Sequence, residues 1–219
     1  SMLAERLPGI LPPLSYDEAI ELTKLFSVAG LLGQKSSIVT DRPFRSPHHS
    51  ASVVGLVGGG SVPKPGEISL SHLGVLFLDE LTEFPRTHLD NLRQPLETQK
   101  VTISRAGQTL TYPASFILVA ACNPCPCGYL GDPVKSCVCA PSQSLRYWSR
   151  LSGPLLDRID LKVEVARLSE TEMAGLTEEE SSAAIRQRVL KAVERQSYRN
   201  LDRSSTDQFV FNGLLGSRA

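Results

Sequence analysis

The sequence predicts an α/β fold, a doubly wound and mostly parallel sheet with helices on both faces, and three observations point to it. Gly74-Val75-Leu76-Phe77-Leu78 is an unbroken apolar run that stops at Asp79-Glu80. Phe116-Ile117-Leu118-Val119-Ala120-Ala121-Cys122 is a second such run, and it stops at Asn123. Runs without alternation are what strands covered on both faces of a parallel sheet require. Amphipathic helical patterns before and between these runs supply the covering layers. Open α/β sheets place ligands at the carboxyl ends of their strands. Two carboxylates and an amide at that edge suit hydrolysis of a magnesium-bound nucleotide: one group holds the metal, one polarises a water, one senses the terminal phosphate. Alone, Asp79 could equally cap the following helix. The strand that ends on Asn123 tips the balance to the nucleotide.

In chain order, Ser1–Leu7 has a helical pattern with no visible N-cap. Ser15-Tyr16-Asp17-Glu18 is a capping box, and Ala19, Ile20, Leu22, Leu25, Phe26 and Ala29 follow at broadly helical spacing. Asp41–Gly66 is rich in Pro, Ser and Gly and is expected to hold at most one short strand or helix. Its adjacent His48 and His49 are expected to point apart and to pack locally, since no third metal ligand lies nearby. Pro85 suits a helix start, and Arg86–Glu97 carries Leu89, Leu92 and Leu96 on one side, with Pro95 expected to kink or end the helix. Lys100–Tyr112 alternates around Arg105-Ala106-Gly107-Gln108 and reads as a β-hairpin with Arg105 near its tip. Ser142–Leu151 reads as a helix with Leu145 and Trp148 inward and Arg146 and Arg150 outward. Leu161–Val165 reads as a strand. Thr177-Glu178-Glu179-Glu180 is a second capping box, opening a helix to about Gln196 with Ile185, Val189, Ala192 and Val193 as its stripe. Asn200–Ala219 is polar and receives no firm structure. These patterns divide the chain into a core at 1–167 and a partial helical lid with a polar tail at 168–219.

Composition sets outer bounds. The 219 residues are 41% hydrophobic and 21% charged with zero formal charge, so bulk charge offers no argument for nucleic-acid affinity. No apolar run approaches the roughly 18 residues of a membrane span, and no secretory leader is evident at the start, which gives a cytoplasmic expectation. All five cysteines fall between Cys122 and Cys139, too local for a secreted disulfide framework. Cys125, Cys127, Cys137 and Cys139 form two C-x-C pairs that could surround one Zn²⁺ and fasten a long, weakly apolar loop. Reduced, unliganded thiols are the alternative. Cys122 is expected to pack at its strand end as a small apolar residue.

Longer matches identify a family. Gly74–Glu80 resembles a Walker B motif, and Cys122-Asn123 resembles the sensor-1 end of an AAA+ ATPase. Lys64–Leu70, Leu92–Glu97, Val101–Ala106 and Ser152–Asp160 resemble the magnesium-chelatase-like AAA+ ATPases of the bacterial competence (ComM) type. The resemblance runs from the first residue to about Arg199. It implies an AAA+ P-loop-type sheet with ATP and Mg²⁺ as cofactors, and a ring, expected to be hexameric, in the complete protein. Asp79 would hold Mg²⁺ through water, Glu80 would orient the attacking water, and Asn123 would position that water or the γ-phosphate. Arg158 would be an arginine finger acting on a neighbouring subunit's nucleotide; pairing with Asp157, Asp160 or helix carbonyls is the alternative. In related ATPases the Lys100–Tyr112 hairpin projects into the ring's channel, where Arg105 could pair with DNA phosphates. The alternative is a solvated tip. Ser1 falls where the family's magnesium-binding hydroxyl sits, yet no G-x-x-x-x-G-K-[ST] occurs in the sequence. The chain is therefore expected to be a fragment that begins inside that motif, or one in which Ser1-Met2 is a cloning remnant, and to be inactive alone. The function expected of the complete protein is a DNA-acting helicase or branch-migration motor of natural transformation. A chelatase-type motor remodelling a protein partner, or a non-enzymatic oligomerisation module, are the alternatives.

Overall fold

The computed structural model describes residues 1–33, 38–105, 108–165, 167 and 180–201. Its central sheet has the strand order β1 (Phe44–Arg45), β4 (Val75–Leu78), β7 (Ile117–Ala120), and both pairings are parallel. All four side chains of β4 are buried, Val75, Leu76 and Leu78 completely. Burial of such side chains contributes about 1.5–3 kcal/mol each, which explains the unbroken apolar run. Gly74 precedes the strand because a Cβ there would sit 2.0 Å from the carbonyl oxygen of Pro43, the acceptor of the Val75 N–H. Only glycine allows that approach.

Two helices open the chain. α1 (Met2–Ile10) starts directly after Ser1. α2 (Tyr16–Ala29) carries the expected capping box: the Glu18 N–H donates to Ser15 Oγ at 3.2 Å, and the Ser15 N–H donates to the Glu18 carboxylate at 2.8 Å. It ends on Gly30 at φ +75°, a left-handed cap. Arg42 ties these helices to the sheet, its Nε donating to Pro12 O at 2.6 Å and its Nη1 to Leu73 O at 2.7 Å.

Asp41–Gly66 is more regular than its composition predicts. It contains β1, α3 (Val53–Val57) and an antiparallel ribbon of β2 (Gly58–Gly59) with β3 (Lys64–Pro65), after which comes α4 (Glu67–Leu70). Two-residue strands have no periodicity to read; tertiary contacts make them. Phe44 stacks on Phe77 with centroids 6.1 Å apart, Arg45 grips Glu67 in a two-point ion pair at 2.5 and 2.6 Å, and Leu56 is buried.

The stretch read as one helix from Arg86 is two, α5 (Arg86–Asp90) and α6 (Arg93–Thr98), broken at Asn91-Leu92. Pro95 is the third residue of α6, and the break falls one turn before it at Asn91, whose carbonyl a Pro95 N–H would have bonded, so the expected interruption is present. The hairpin is as expected, β5 (Lys100–Arg105) against β6 (Gln108–Pro113), with Arg105 opposite Gln108 at its end.

α7 (Pro141–Trp148) is rotated from the predicted phase. Tyr147 is buried, whereas Leu145 is 73% exposed and Trp148 keeps one edge in solvent while its indole N–H donates to Pro124 O at 3.0 Å. α8 (Gly153–Leu156) follows and buries Leu155 completely. Leu161–Val165 is not a strand: Leu161, Val163 and Val165 are exposed, and no other strand pairs with them among the described residues. α9 (Ser182–Leu201) packs on α1, with Ile185, Val189 and Val193 half-buried and Ala192 exposed. Thr177–Glu179 of the second capping box lie outside the described residues. Among the described residues no helix is long and apolar enough to cross a membrane.

The burial pattern sets a contrast measurable by urea unfolding. Leu76→Ala should cost about 2–5 kcal/mol as a cavity in the sheet, while Leu145→Ala on the outer face of α7 should stay within about 0.5 kcal/mol.

Candidate active site

The parallel register carries three chain segments to one edge. Leu78 pairs with Ala120, and the ladder continues past both strands: Ala121 N–H donates to Leu78 O at 3.0 Å and Leu81 N–H to Ala121 O at 2.8 Å. Asp79 and Glu80 therefore leave β4 alongside the segment that leads through exposed Cys122 to Asn123. The expectation that Cys122 packs as an apolar residue fails here, because the residue is exposed at the end of β7. Asn123 is exposed and its side chain makes no hydrogen bond among the described residues.

Asp79 is engaged on both oxygens. Its Oδ1 accepts from the Glu80 N–H at 3.0 Å and its Oδ2 from the Ser1 hydroxyl at 2.8 Å. The start of α1 and the end of β4 are 78 residues apart in sequence and meet at these two atoms. A carboxylate and a hydroxyl are hard oxygen donors of the kind that magnesium takes through one or two protein groups. The residues thus fit Mg²⁺. For nucleotide phosphates this sequence provides no glycine-rich cradle.

Glu80 occupies the left-handed region at φ +51°. Such a conformation in a non-glycine residue costs of order 1–3 kcal/mol and persists only where surroundings impose it. Here the Glu80 carbonyl accepts from the Glu83 N–H at 2.7 Å, and the Leu81–Ala121 bond fixes the next residue. The carboxylate faces His49, with Nδ1 at 3.4 Å from Oε2. The imidazoles of His48 and His49 do not point apart; their centroids are 4.0 Å apart at 35°. His48 is held locally as expected, by Ser50 Oγ at 2.7 Å. His49 is the site residue that the sequence reading passes over. No sequence signal announces it: only with β1 seen as a parallel strand do the residues after it reach the same edge as those after β4 and β7.

The two arginines lie elsewhere. Arg158, in the turn after α8, donates from Nε at 3.0 Å and from Nη2 to the carboxylate of Glu97 in α6. That partner is neither Asp157 nor Asp160. Arg105 is the last residue of β5.

The four loop cysteines converge, with all four Sγ atoms within 4.8 Å of one another. Cys125–Cys127 is 3.4 Å, and Cys125–Cys137 and Cys127–Cys137 are 3.6 Å. Four thiolates around zinc at about 2.3 Å would stand roughly 3.8 Å apart, so the donor set fits a tetrahedral ion. The metal-free thiols are strongly unequal. Backbone N–H groups of Tyr129 and Val138 pull Cys127 down to about 6. Cys139 receives a backbone N–H from Cys127, but burial and the three neighbouring thiols push it up to about 12. Adjacent like charges resist forming together, so the cluster without a cation holds few thiolates. The loop is latched by Trp148 to Pro124 and by Asp132, which accepts from the N–H groups of Val134 and Lys135 at 2.8 Å each.

A thiolate is the alkylating form, present above its pKa. Metal-free protein at pH 7 should therefore take iodoacetamide at Cys127 well before Cys139, with the Cys127 rate rising through about pH 6. Mass-spectrometric mapping of early adducts checks this; equal labelling of the two would contradict it.

A family model described as "Magnesium chelatase, subunit ChlI" matches residues 1–173. The chain is 50% identical over 202 residues to the uncharacterized protein YifB of Escherichia coli, covering 90% of this chain and 38% of that protein. It is 50% identical over 203 residues to the competence protein ComM of Haemophilus influenzae, covering 91% of this chain and 39% of that one. An uncharacterized protein of Mycobacterium tuberculosis is 48% identical over 200 residues. The chain spans less than two fifths of the length of these relatives.

Proposed function

The chain belongs to the magnesium chelatase ChlI-subunit family, and from that premise we propose that it is the ATP-hydrolysing core of a ring-forming AAA+ motor that acts on DNA in the cytoplasm. The observation that carries the proposal is the meeting of Ser1 and Asp79 at the sheet edge where Glu80 and Asn123 also emerge. Asp79 and Ser1 would hold Mg²⁺, which neutralises developing phosphate charge when bound. Glu80, exposed and forced outward by its backbone, orients the attacking water. Asn123 positions that water or the terminal phosphate. Arg158 serves the nucleotide of the next subunit in the ring, which in the full-length polypeptide is a homo-oligomer and by family likeness a hexamer. A guanidinium suits that task through its permanent charge and planar fork. Its pairing with Glu97 then parks it when no phosphate is offered.

DNA as the substrate is supported by the name of one relative, a competence protein, and by Arg105 at the end of the β5–β6 hairpin. A motor that remodels a protein partner is the second reading, favoured by the chelatase name of the family. The four cysteines hold a structural Zn²⁺ in this proposal, and bound metal would silence the alkylation of Cys127.

Subunit mixing tests the central roles in the full-length polypeptide. Glu80→Gln and Arg158→Ala should each lower ATP turnover by about 10³-fold or more while keeping nucleotide affinity. Mixed, the two inactive proteins should regain activity, because an Arg158→Ala subunit with an intact Glu80 can receive the arginine of its Glu80→Gln neighbour. Normal turnover of either variant, or a mixture as inactive as its parts, would contradict the assignment.

A further inference from the structure

The chain leaving β1 brings a side chain to the same edge as β4 and β7, and the hydrolytic set above does not use it. His49 approaches Oε2 of Glu80 through Nδ1 at 3.4 Å. Its ring contacts two others, His48 with centroids 4.0 Å apart and Phe84 at 6.3 Å in an edge-on contact at 79°. Both neighbours are fixed. His48 is bonded to the hydroxyl and N–H of Ser50, and Phe84 is buried in the core just after the turn that Glu80 begins. β1, four residues before His49, is itself anchored by the stacking of Phe44 on Phe77 and by the Arg45–Glu67 ion pair.

We propose that His49 is a positioning residue for the Glu80 carboxylate. Its Nδ1–H donates to Oε2 and holds that oxygen, leaving Oε1 to the attacking water. The backbone of Glu80 at φ +51° aims the side chain outward but leaves its torsions free; a second contact is needed to select one rotamer. A separation of 3.4 Å is long for a hydrogen bond and is of the kind that tightens when substrate completes the site. Two rings hold His49 where a small rotation of the carboxylate closes the gap. The role rests on the ATPase reading, since it acts only through Glu80.

Steady-state ATP turnover of the full-length polypeptide tests it. His49→Ala should lower kcat by about tenfold or more, with KM for ATP and thermal midpoint unchanged. His49→Asn, whose amide nitrogen sits close to where Nδ1 sits, should recover most of the loss, and His49→Gln should not. In a Glu80→Gln background, His49→Ala should cause no further decrease, as expected of two groups acting as one unit. Parental kcat in His49→Ala, or an Asn variant no better than Ala, would overturn the role while leaving Glu80 in place. A further drop in the Glu80→Gln background would overturn it as well. If Glu80→Gln itself turned over normally, the ATPase assignment would fail, and His49 would lose its role with it.

Discussion

Because every side chain of β4 is buried, polar groups can enter the site only where that strand ends, and its pairing with β7 decides where that is. An unpaired carboxylate placed within the covered sheet would suffer a desolvation cost of several kcal/mol. At the edge it keeps its hydration. The parallel register then sets the spacing: the chain leaves β4 and β7 in step, held by the bonds of Leu78 and Leu81 to Ala121. An antiparallel partner would have sent Asn123 to the opposite end. The geometry of this edge is thus a by-product of burying Val75, Leu76, Phe77 and Leu78 beside Leu118, Val119 and Ala120.

Around this edge each further group is supported by a contact distant in sequence. Arg42 clamps the connection between α1 and α2 to the entrance of β4, which places the start of α1 within reach of Asp79. The turn after Asp79 is strained at Glu80 and relieved by the short helical turn that follows. The cysteine loop begins directly after Asn123 and is pinned by Trp148, which ties down the chain that follows the amide. Ser152 donates to Asp90 at 3.3 Å, linking the segment before Arg158 to the helices after β4.

Much of this was legible in the residues because it follows from long, unmistakable patterns. The two apolar runs gave the parallel pair, Ser15 and Glu18 gave the cap of α2, and alternation gave the β5–β6 hairpin. The convergence of the four cysteines followed from their spacing. What failed did so for definable reasons. β1 is two residues long and exists because Phe44 and Arg45 find tertiary partners, so nothing periodic announced it or the arrival of His49. In α7 the apolar residues Leu145, Tyr147 and Trp148 left the phase of a short helix ambiguous, and the indole–Pro124 bond settled it. Leu161–Val165 has the alternation of a strand, but a strand also needs a neighbour, and the described residues supply none.

If Asp79, Glu80 and Asn123 serve one water at one sheet edge, the exposed amide of Asn123 has no structural duty and its loss should be purely catalytic. The direct measurement is ATP turnover and nucleotide affinity of the Asn123→Ala full-length polypeptide. A fall in kcat of about a hundredfold or more, with nucleotide affinity and thermal midpoint retained, is the expected result. Unchanged turnover would contradict the shared site.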